Sequence, residues 1–300
     1  MYFSILFLML LLNNIAFALP WMTGPLLAPN AKTIAPGHIN FEPYLFYTLY
    51  PEQYRNFETT PYLTTGLTSF MDIETSIPYD ISWDKGQHGN DIGDYSLGIG
   101  LQVLREVNHS WIPNLRLVIQ EIFPTGKFDR LNPKKLGTDQ TGLGSYQSLI
   151  SFNFSKLTPL KDGRYLHTSF ALAGVYTSTV KVNGFNVFGG NETTRGKVHP
   201  GNSYSIDLAF EYIVTEHWVP VFEALYTNSG PSNFSGSPGF TPGGSFNSVG
   251  SGGGKQTSLA PAIEYNFNAN LGIIAGVWFS VTGPHAGQFT ANTIAIDWRY

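Results

Sequence analysis

The sequence predicts an all-β protein, a single antiparallel transmembrane β-barrel of about 12 strands with short periplasmic turns and long external loops. Three observations support this: a chain-long alternation of apolar and polar residues, an aromatic content of 15% and a charged content of only 13%. Soluble proteins carry roughly 25% charged residues. A sheet that faces lipid outside and a polar lumen inside needs apolar and polar residues together, in keeping with a mean hydropathy of -0.05.

Twelve segments show the alternation, and an even number is typical of bacterial barrels. The fourth is the most regular, with Tyr95, Leu97 and Ile99 on one face, whereas the second is weaker. Glu121 falls on the apolar face of the fifth, which predicts a bulge or a rim position. In chain order the segments are residues 39–47, 63–67, 71–80, 94–103, 114–124, 146–154, 166–176, 204–212, 222–226, 259–267, 271–280 and 293–300.

The connections between these segments alternate in length, with short turns between longer loops. Turns at one end and loops at the other are typical of outer-membrane barrels, whose turns lie in the periplasm. Both chain ends are therefore expected on the periplasmic side. We expect loop 228–255, which is rich in Gly and Ser, to be low-complexity and mobile. The longer loops are residues 82–91, 125–143, 179–202 and 228–255.

The N-terminal residues resemble a targeting sequence. Residues 1–18 combine an apolar core with a small-x-small cleavage site ending at Ala18, although the usual Lys or Arg is missing. We expect a signal peptide over 1–18, cleaved after Ala18 on export to the outer membrane. Residues 19–36 have no period and are predicted to be a periplasmic lead-in, and residues 37–300 are predicted to form the barrel.

The polar faces of the strands place most of the charged residues in the predicted lumen. One interpretation is a cation-preferring or polar-solute pathway, because rings of carboxylates set selectivity. The other is that the charges pair with one another and fill a narrow barrel; the sequence leaves both open. The predicted lumen residues are Glu42, Asp72, Glu74, Asp94, Asp207, Glu211, Glu223, Glu264 and Asp297, with Arg116, Arg299 and Gln120.

The ending of the chain and two motifs resemble known barrels. Ile294, Ile296, Trp298 and Tyr300 share one face of an extended chain, and bacterial outer-membrane barrels end on such an aromatic residue. Their assembly machinery recognises that ending, so the resemblance implies that it binds this chain through Trp298 and Tyr300. We expect outer-membrane lipid and lipopolysaccharide to surround the barrel.

A further resemblance is spread over residues 37–300. The stretch Asn90-Asp-Ile-Gly-Asp-Tyr-Ser-Leu-Gly-Ile-Gly-Leu-Gln-Val-Leu104 is similar to the Gly-Asp-x-x-Leu-Gly strand of the MetA-pathway-of-phenol-degradation family of transporters. Phe123-Pro-Thr-Gly126, which closes a strand, and the aromatic C-terminus agree with it. The resemblance implies an outer-membrane barrel that moves small, often hydrophobic, compounds.

Several other classes of protein are disfavoured by composition. The absence of cysteine excludes disulfides, thiolate zinc sites and iron–sulfur clusters. A net charge of -4 argues against a nucleic-acid partner, which requires a basic surface. The seven histidines show no metal-ligand spacing. We therefore expect no metal and no cofactor.

The predicted function is passive passage of a small molecule, hydrophobic or aromatic solutes among them, through an acidic lumen. One alternative is an outer-membrane hydrolase, because His167-Thr168-Ser169 has the His-x-Ser spacing of the outer-membrane phospholipase. The Asn-Gly that follows in that enzyme is missing, and alternation turns both side chains inward, which favours a polar lumen pair and no enzyme. The other alternative is a structural or adhesive barrel that acts through its loops.

Overall fold

A computed structural model describes residues 22–107, 110–282 and 287–300, so the predicted signal peptide lies outside the described residues. The described chain contains two short 3-10 helices, Pro51–Gln53 and Pro133–Lys135. Its strands are β1 (Ile39–Leu49), β2 (Arg55–Thr68), β3 (Met71–Ser76), β4 (Tyr79–Asp84), β5 (Gln87–Ile92), β6 (Tyr95–Leu104), β7 (Asn114–Phe123), β8 (Gln147–Pro159), β9 (Tyr165–Thr177), β10 (Val180–Asn183), β11 (Arg195–His199), β12 (Ser203–Ile213), β13 (Trp218–Ser229), β14 (Asn233–Ser237), β15 (Gly254–Asn268), β16 (Leu271–Thr282) and β17 (Thr290–Arg299).

Twelve of these strands form a closed antiparallel barrel, in the order β1-β17-β16-β15-β13-β12-β9-β8-β7-β6-β3-β2, and β2 pairs with β1 to close it. At the seam between β1 and β17, where the two ends of the barrel chain meet, Ile39 and Tyr300 exchange two backbone hydrogen bonds of 2.8 Å. The predicted fold class and all twelve predicted strands are confirmed. We call the end where β1 begins the turn end and the opposite end the loop end.

The two faces of the wall differ as the alternation predicts. Outward side chains are large, apolar and exposed, as in lipid-facing sheets; Leu97, Ile206 and Ile263 are examples. Many inward positions are polar or small, such as Ser151 and Ala171. Within the described residues no helix is long and apolar enough to cross a membrane.

Glu121 lies at the rim of the barrel rather than at a bulge. The pairing of β7 with β8 is unbroken from Asn114 to Ile122. Glu121 is close to the loop end of β7, where it accepts a hydrogen bond of 2.6 Å from Ser148 Oγ. A carboxylate on the outer face is tolerated there because strand ends lie near water.

The long loops are more ordered than the sequence predicts. The predicted loop 82–91 is largely the β4–β5 hairpin, in which β4 pairs with the loop-end part of β2. Loop 228–255, predicted to be low-complexity and mobile, contains β14, which pairs with β11 in a three-stranded sheet with β10.

This second sheet has a core of its own. The side chains of Val180, Val182 and Val198 pack against Phe128 and Phe234. Because Phe128 belongs to the loop between β7 and β8, the sheet joins three loops into one body. We call residues 124–146, 178–202 and 230–253 the loop assembly.

Candidate functional site

Residues 22–36 lie inside the barrel, and we call them the inner segment. They were predicted to be a periplasmic lead-in, but their backbone bonds to inward-facing side chains on strands from several sides of the wall. Leu26 is fully buried, packed against Val219, Val221, Ile274 and Ala295. The inner segment therefore fills the turn-end half of the lumen.

Two buried glutamates hold the first half of the inner segment. Glu264 accepts a hydrogen bond of 2.7 Å from the Thr23 amide. Glu223 accepts bonds from the amides of Leu27, at 2.9 Å, and Ala28. A backbone segment inside a lumen has no paired strand to accept hydrogen bonds from its amides. These carboxylates therefore supply the acceptors that a buried backbone requires.

An ion-paired cluster on β3 and β7 holds the second half of the inner segment. Asp72 accepts a bond of 3.0 Å from the Ile34 amide. Arg116 is buried beside it, with its guanidinium 2.7 Å from Asp72 and 3.2 Å from Glu74. Gly100 makes room, because a Cβ there would collide with Arg116 and Asp72.

Glycines on the lumen face allow the close approach of the inner segment. A Cβ at Gly66 would collide with the backbone carbonyls of Ile34 and Ala35. A Cβ at Gly272 would collide with the side chain of Thr23. At both positions the inner segment occupies the space that a side chain would otherwise fill.

The remaining predicted lumen residues divide between the interior and the rim. Glu211 contacts His167 Nδ1, and Asp207 is hydrogen-bonded with Glu223. Asp297 Oδ2 lies 2.6 Å from Arg299 Nη2, which reaches the Thr23 carbonyl at 3.3 Å. Glu42, Gln120 and Asp207 line the cavity described below.

Asp94 was predicted to line the lumen, but it contacts the loop assembly instead. Its carboxylate accepts hydrogen bonds of 2.9 Å from the amides of Gly126 and Leu143, both in the loop assembly. It precedes β6 at the loop end and does not line the cavity. Asp94 therefore anchors the loop assembly to the wall. Alternation placed it on the polar face but could not show which partner it meets.

A cavity of about 450 Å³ occupies the lumen beside the inner segment. Four inward-facing aromatic rings line it, those of Tyr62, Tyr44, Phe46 and Trp278. They begin a continuous series of rings that leads from mid-lumen to the loop end, where its last members lie in the connections beside the strands. Successive ring centroids are 5.7, 5.8, 6.5, 4.7, 6.5 and 5.5 Å apart. This aromatic ladder consists of Tyr62, Tyr44, Phe46, Trp278, Phe289, Tyr50 and Tyr54.

The ladder is positioned by hydrogen bonds at its polar tips. Trp278 Nε1 donates to Ser258 Oγ at 2.9 Å, and Tyr54 Oη donates to Ser82 Oγ at 3.0 Å. Ser258 belongs to the wall strand β15 and Ser82 to the β4–β5 hairpin, so Trp278 is held against the wall and Tyr54 against the hairpin. The sequence signal was present, as aromatic residues on the polar face of β1 and β16, but it was not recognised as a series.

No metal site is evident in the part of the chain that the structure describes, since no three His, Cys, Asp or Glu side chains are placed to hold an ion. The lumen carboxylates bind backbone amides, guanidinium groups and an imidazole instead.

Comparison with solved structures shows the same fold, a closed antiparallel β-barrel, in an outer-membrane protein. It is similar to an outer-membrane channel from Pseudomonas putida F1, with a TM-score of 0.65 and 12% identity over 91% of this chain and 100% of that one. The β domain of the Bordetella autotransporter BrkA is similar at a TM-score of 0.48, with 10% identity over 88% of this chain and 100% of that one. The translocator domain of the autotransporter NalP from Neisseria meningitidis gives 0.46 and 8%, over 88% of each chain.

No family model and no curated protein sequence matches the chain. At 12% identity the likeness to the Pseudomonas channel shows the fold alone. The resemblance to the phenol-degradation family therefore stays a prediction.

Proposed function

We propose that the protein is a passive outer-membrane channel for small apolar or aromatic solutes, with its turn end in the periplasm. The observation that carries this proposal is the cavity lined by the aromatic ladder. Rings that face a lumen offer stacking contacts of about 0.5–1.5 kcal/mol each beyond area burial. A solute can move from ring to ring along the ladder without losing all of its contacts at any step.

The charges of the lumen support this proposal over an open acidic pore. Glu223, Glu264 and Asp72 are each fully buried and bonded to the inner segment. A carboxylate that already accepts two amides offers little attraction to a passing cation. We infer that ions are conducted poorly while the inner segment is in place.

The solute preference is tested by uptake of an apolar aromatic dye, 1-N-phenylnaphthylamine, by cells that express the full chain. We expect faster uptake than in cells with an empty vector. Uptake should fall in Trp278→Ala, which interrupts the ladder, and not in Trp218→Ala, which removes an outward-facing ring. Dye uptake by the expressing cells that equals uptake by the vector cells would contradict the proposal.

The role of the inner segment is tested by single-channel conductance of the protein in a planar bilayer in KCl. We expect small, rare openings in the unaltered chain and larger, more frequent ones in Glu223→Gln/Glu264→Gln, where each side chain keeps only one acceptor oxygen. The matched control is Glu121→Gln at the rim. Large ohmic steps in the unaltered chain would contradict a filled lumen.

A hydrolase is the second candidate, because His167 Nδ1 contacts a buried carboxylate, Glu211, as a catalytic histidine does. No hydrogen bond joins His167 to Ser169 among the described residues, and both face the lumen. We expect a serine-directed fluorophosphonate to leave the protein unlabelled. Labelling that is lost in Ser169→Ala would favour the hydrolase.

The third candidate, an adhesive barrel, predicts a function that resides in the loop assembly. Deleting β14 and its flanking loop would then abolish binding of a surface partner. A channel should keep its dye uptake after the same deletion, because the aromatic ladder belongs to β1, β2, β16 and the connections beside them.

A further inference from the structure

Three prolines interrupt neighbouring strands of the barrel wall, at positions where proline is rarely found. Proline has no amide hydrogen, so it is usually confined to sheet edges and bulges. A closed barrel has no edge, yet Pro43 lies within β1 and Pro61 within β2. Pro78 lies between β3 and β4, which run on in one direction with only two residues between them.

The missing donor of Pro43 faces β17. Ile39 exchanges backbone hydrogen bonds with Tyr300, which places the amide of Ile39 on the β17 side of β1. Amides two residues apart point the same way, so the nitrogen of Pro43 faces β17 as well. The pairing of β1 with β17 is interrupted there: it includes Phe41 and Tyr44 but neither residue between them.

The missing donor of Pro61 faces the next seam. Pro61 stands directly opposite Pro43 in the unbroken β1–β2 pairing. The nitrogens of two such residues point away from each other, which turns that of Pro61 towards the junction of β3 and β4. The pairing of β2 stops at Tyr62 on β3 and resumes at Thr59 on β4.

Pro78 fills that junction and removes a third donor. It accepts a hydrogen bond of 2.8 Å from the Gly93 amide through its carbonyl, but it has none to give in return. Pro43, Pro61 and Pro78 thus form a belt across neighbouring strands in which the seams on both sides of the β1–β2 hairpin are weakened. We call these residues the proline belt.

The proline belt lies directly behind the cavity. Tyr44 and Tyr62 follow Pro43 and Pro61 in sequence and turn inward, where both line the cavity. Their rings meet edge to face with centroids 5.7 Å apart, at the mid-lumen end of the aromatic ladder. On the outer side, Leu45 and Leu63 are exposed where lipid would lie. One layer of wall separates the end of the ladder from the outer face.

We propose that the proline belt is a lateral exit, through which an apolar solute passes from the ladder into the hydrocarbon of the bilayer. This inference rests on the proposed channel function. The inner segment blocks the axial route at the turn end, where it is held by buried carboxylates. An apolar solute gains free energy by entering the bilayer rather than the aqueous periplasm. Opening a seam costs less where a backbone hydrogen bond is already absent.

The first test locks the β1–β17 seam with a disulfide. Leu45 and Ile294 are directly opposite and exposed, and the chain contains no cysteine, so Leu45→Cys/Ile294→Cys creates a single pair. We expect oxidation to reduce dye uptake to the vector level and reduction to restore it. The matched control is Ile119→Cys/Ile150→Cys, across the unbroken β7–β8 seam, where oxidation should change nothing.

The second test restores the missing donors. Pro43→Ala and Pro61→Ala should each slow uptake by roughly fivefold, the factor that one net backbone hydrogen bond carries. Pro220→Ala is the control: Pro220 also lies within a wall strand, β13, but near the turn end, with β15 between it and the ladder strand β16. Heat-modifiable gel mobility checks that each variant is folded.

The outcomes separate this inference from the function on which it rests. If the unaltered chain takes up no more dye than the vector, the channel proposal fails and the exit with it. If the unaltered chain takes up dye and the oxidised Leu45→Cys/Ile294→Cys variant does so equally fast, the lateral exit alone is overturned. The solute then passes the inner segment.

Discussion

Arg116 shows how single residues of the lumen depend on one another. Its guanidinium is buried and is shared between Asp72 and Glu74. Removing one member of a buried pair leaves an uncompensated charge, which costs about 3–5 kcal/mol. Alternation predicted that these side chains share the lumen, but not that they are neighbours, because β3 and β7 do not pair: the contact is made across Gly100 of the strand between them, β6.

We therefore predict that Arg116→Met lowers the free energy of unfolding by about 3–5 kcal/mol. The measurement is urea denaturation of the refolded barrel in detergent micelles. Arg164→Met is the control, since Arg164 pairs with Asp162 in an exposed turn, where an ion pair contributes at most about 1 kcal/mol. An equal loss in the two variants would show that the lumen pair is solvated.

Among the elements, the loop assembly has a pH dependence of its own. Burial opposes ionisation of Asp139, but hydrogen bonds from the Asn132 amide, at 3.0 Å, and from Lys127 Nζ, at 2.6 Å, hold the pKa of its carboxyl below the usual value of 3.8. A carboxyl with a lowered pKa stabilises the folded state above its usual pKa, and this stabilisation is lost as the pH falls through the folded value.

We predict that the loop assembly loosens in acid, below about pH 4, while the barrel stays folded. Hydrogen exchange followed by mass spectrometry should show faster exchange in residues 124–146 than at neutral pH. In Asp139→Asn the loops should be looser at neutral pH and respond little to acid. Asp162→Asn, in an exposed turn at the other end, should behave like the unaltered chain.

The elements also show what the sequence could reveal. Strand side chains alternate with period two whatever lies elsewhere in the chain, so all twelve barrel strands were predictable. The inner segment was not, because its amides bond to carboxylates far away in sequence and leave no local period. The three-stranded loop sheet was missed because β10, β11 and β14 have only four or five residues each, too few for a clear alternation, and because β14 pairs with β11 from a different loop.

For the whole molecule, the C-terminus both closes the barrel and presents its last aromatic residues to the outside. Tyr300 bonds to Ile39 through its backbone, and its side chain is 79% exposed, near the exposed Trp298. Neither ring is needed to close the seam. We propose that these rings are the contact for the barrel-assembly machinery.

We predict that Trp298→Ser/Tyr300→Ser lowers the amount of folded barrel in the outer membrane of cells but leaves refolding in detergent unchanged. Trp218→Ser is the control, because Trp218 is also outward-facing and exposed near the turn end. Heat-modifiable gel mobility of the cellular and the refolded protein measures both quantities. A parallel loss in detergent would make the effect one of stability.

The inner segment also constrains the order in which the molecule can fold. Thr23 bonds to Glu264 and to Arg299, which lie 241 and 276 residues later in the chain. The inner segment thus finds its partners only after nearly all of the strands have been made. Contacts between residues so far apart in sequence form slowly, because the entropy of closing a long loop is lost before the contact can stabilise the chain. The inner segment therefore acquires its contacts late, and the barrel closes around an irregular segment of its own chain.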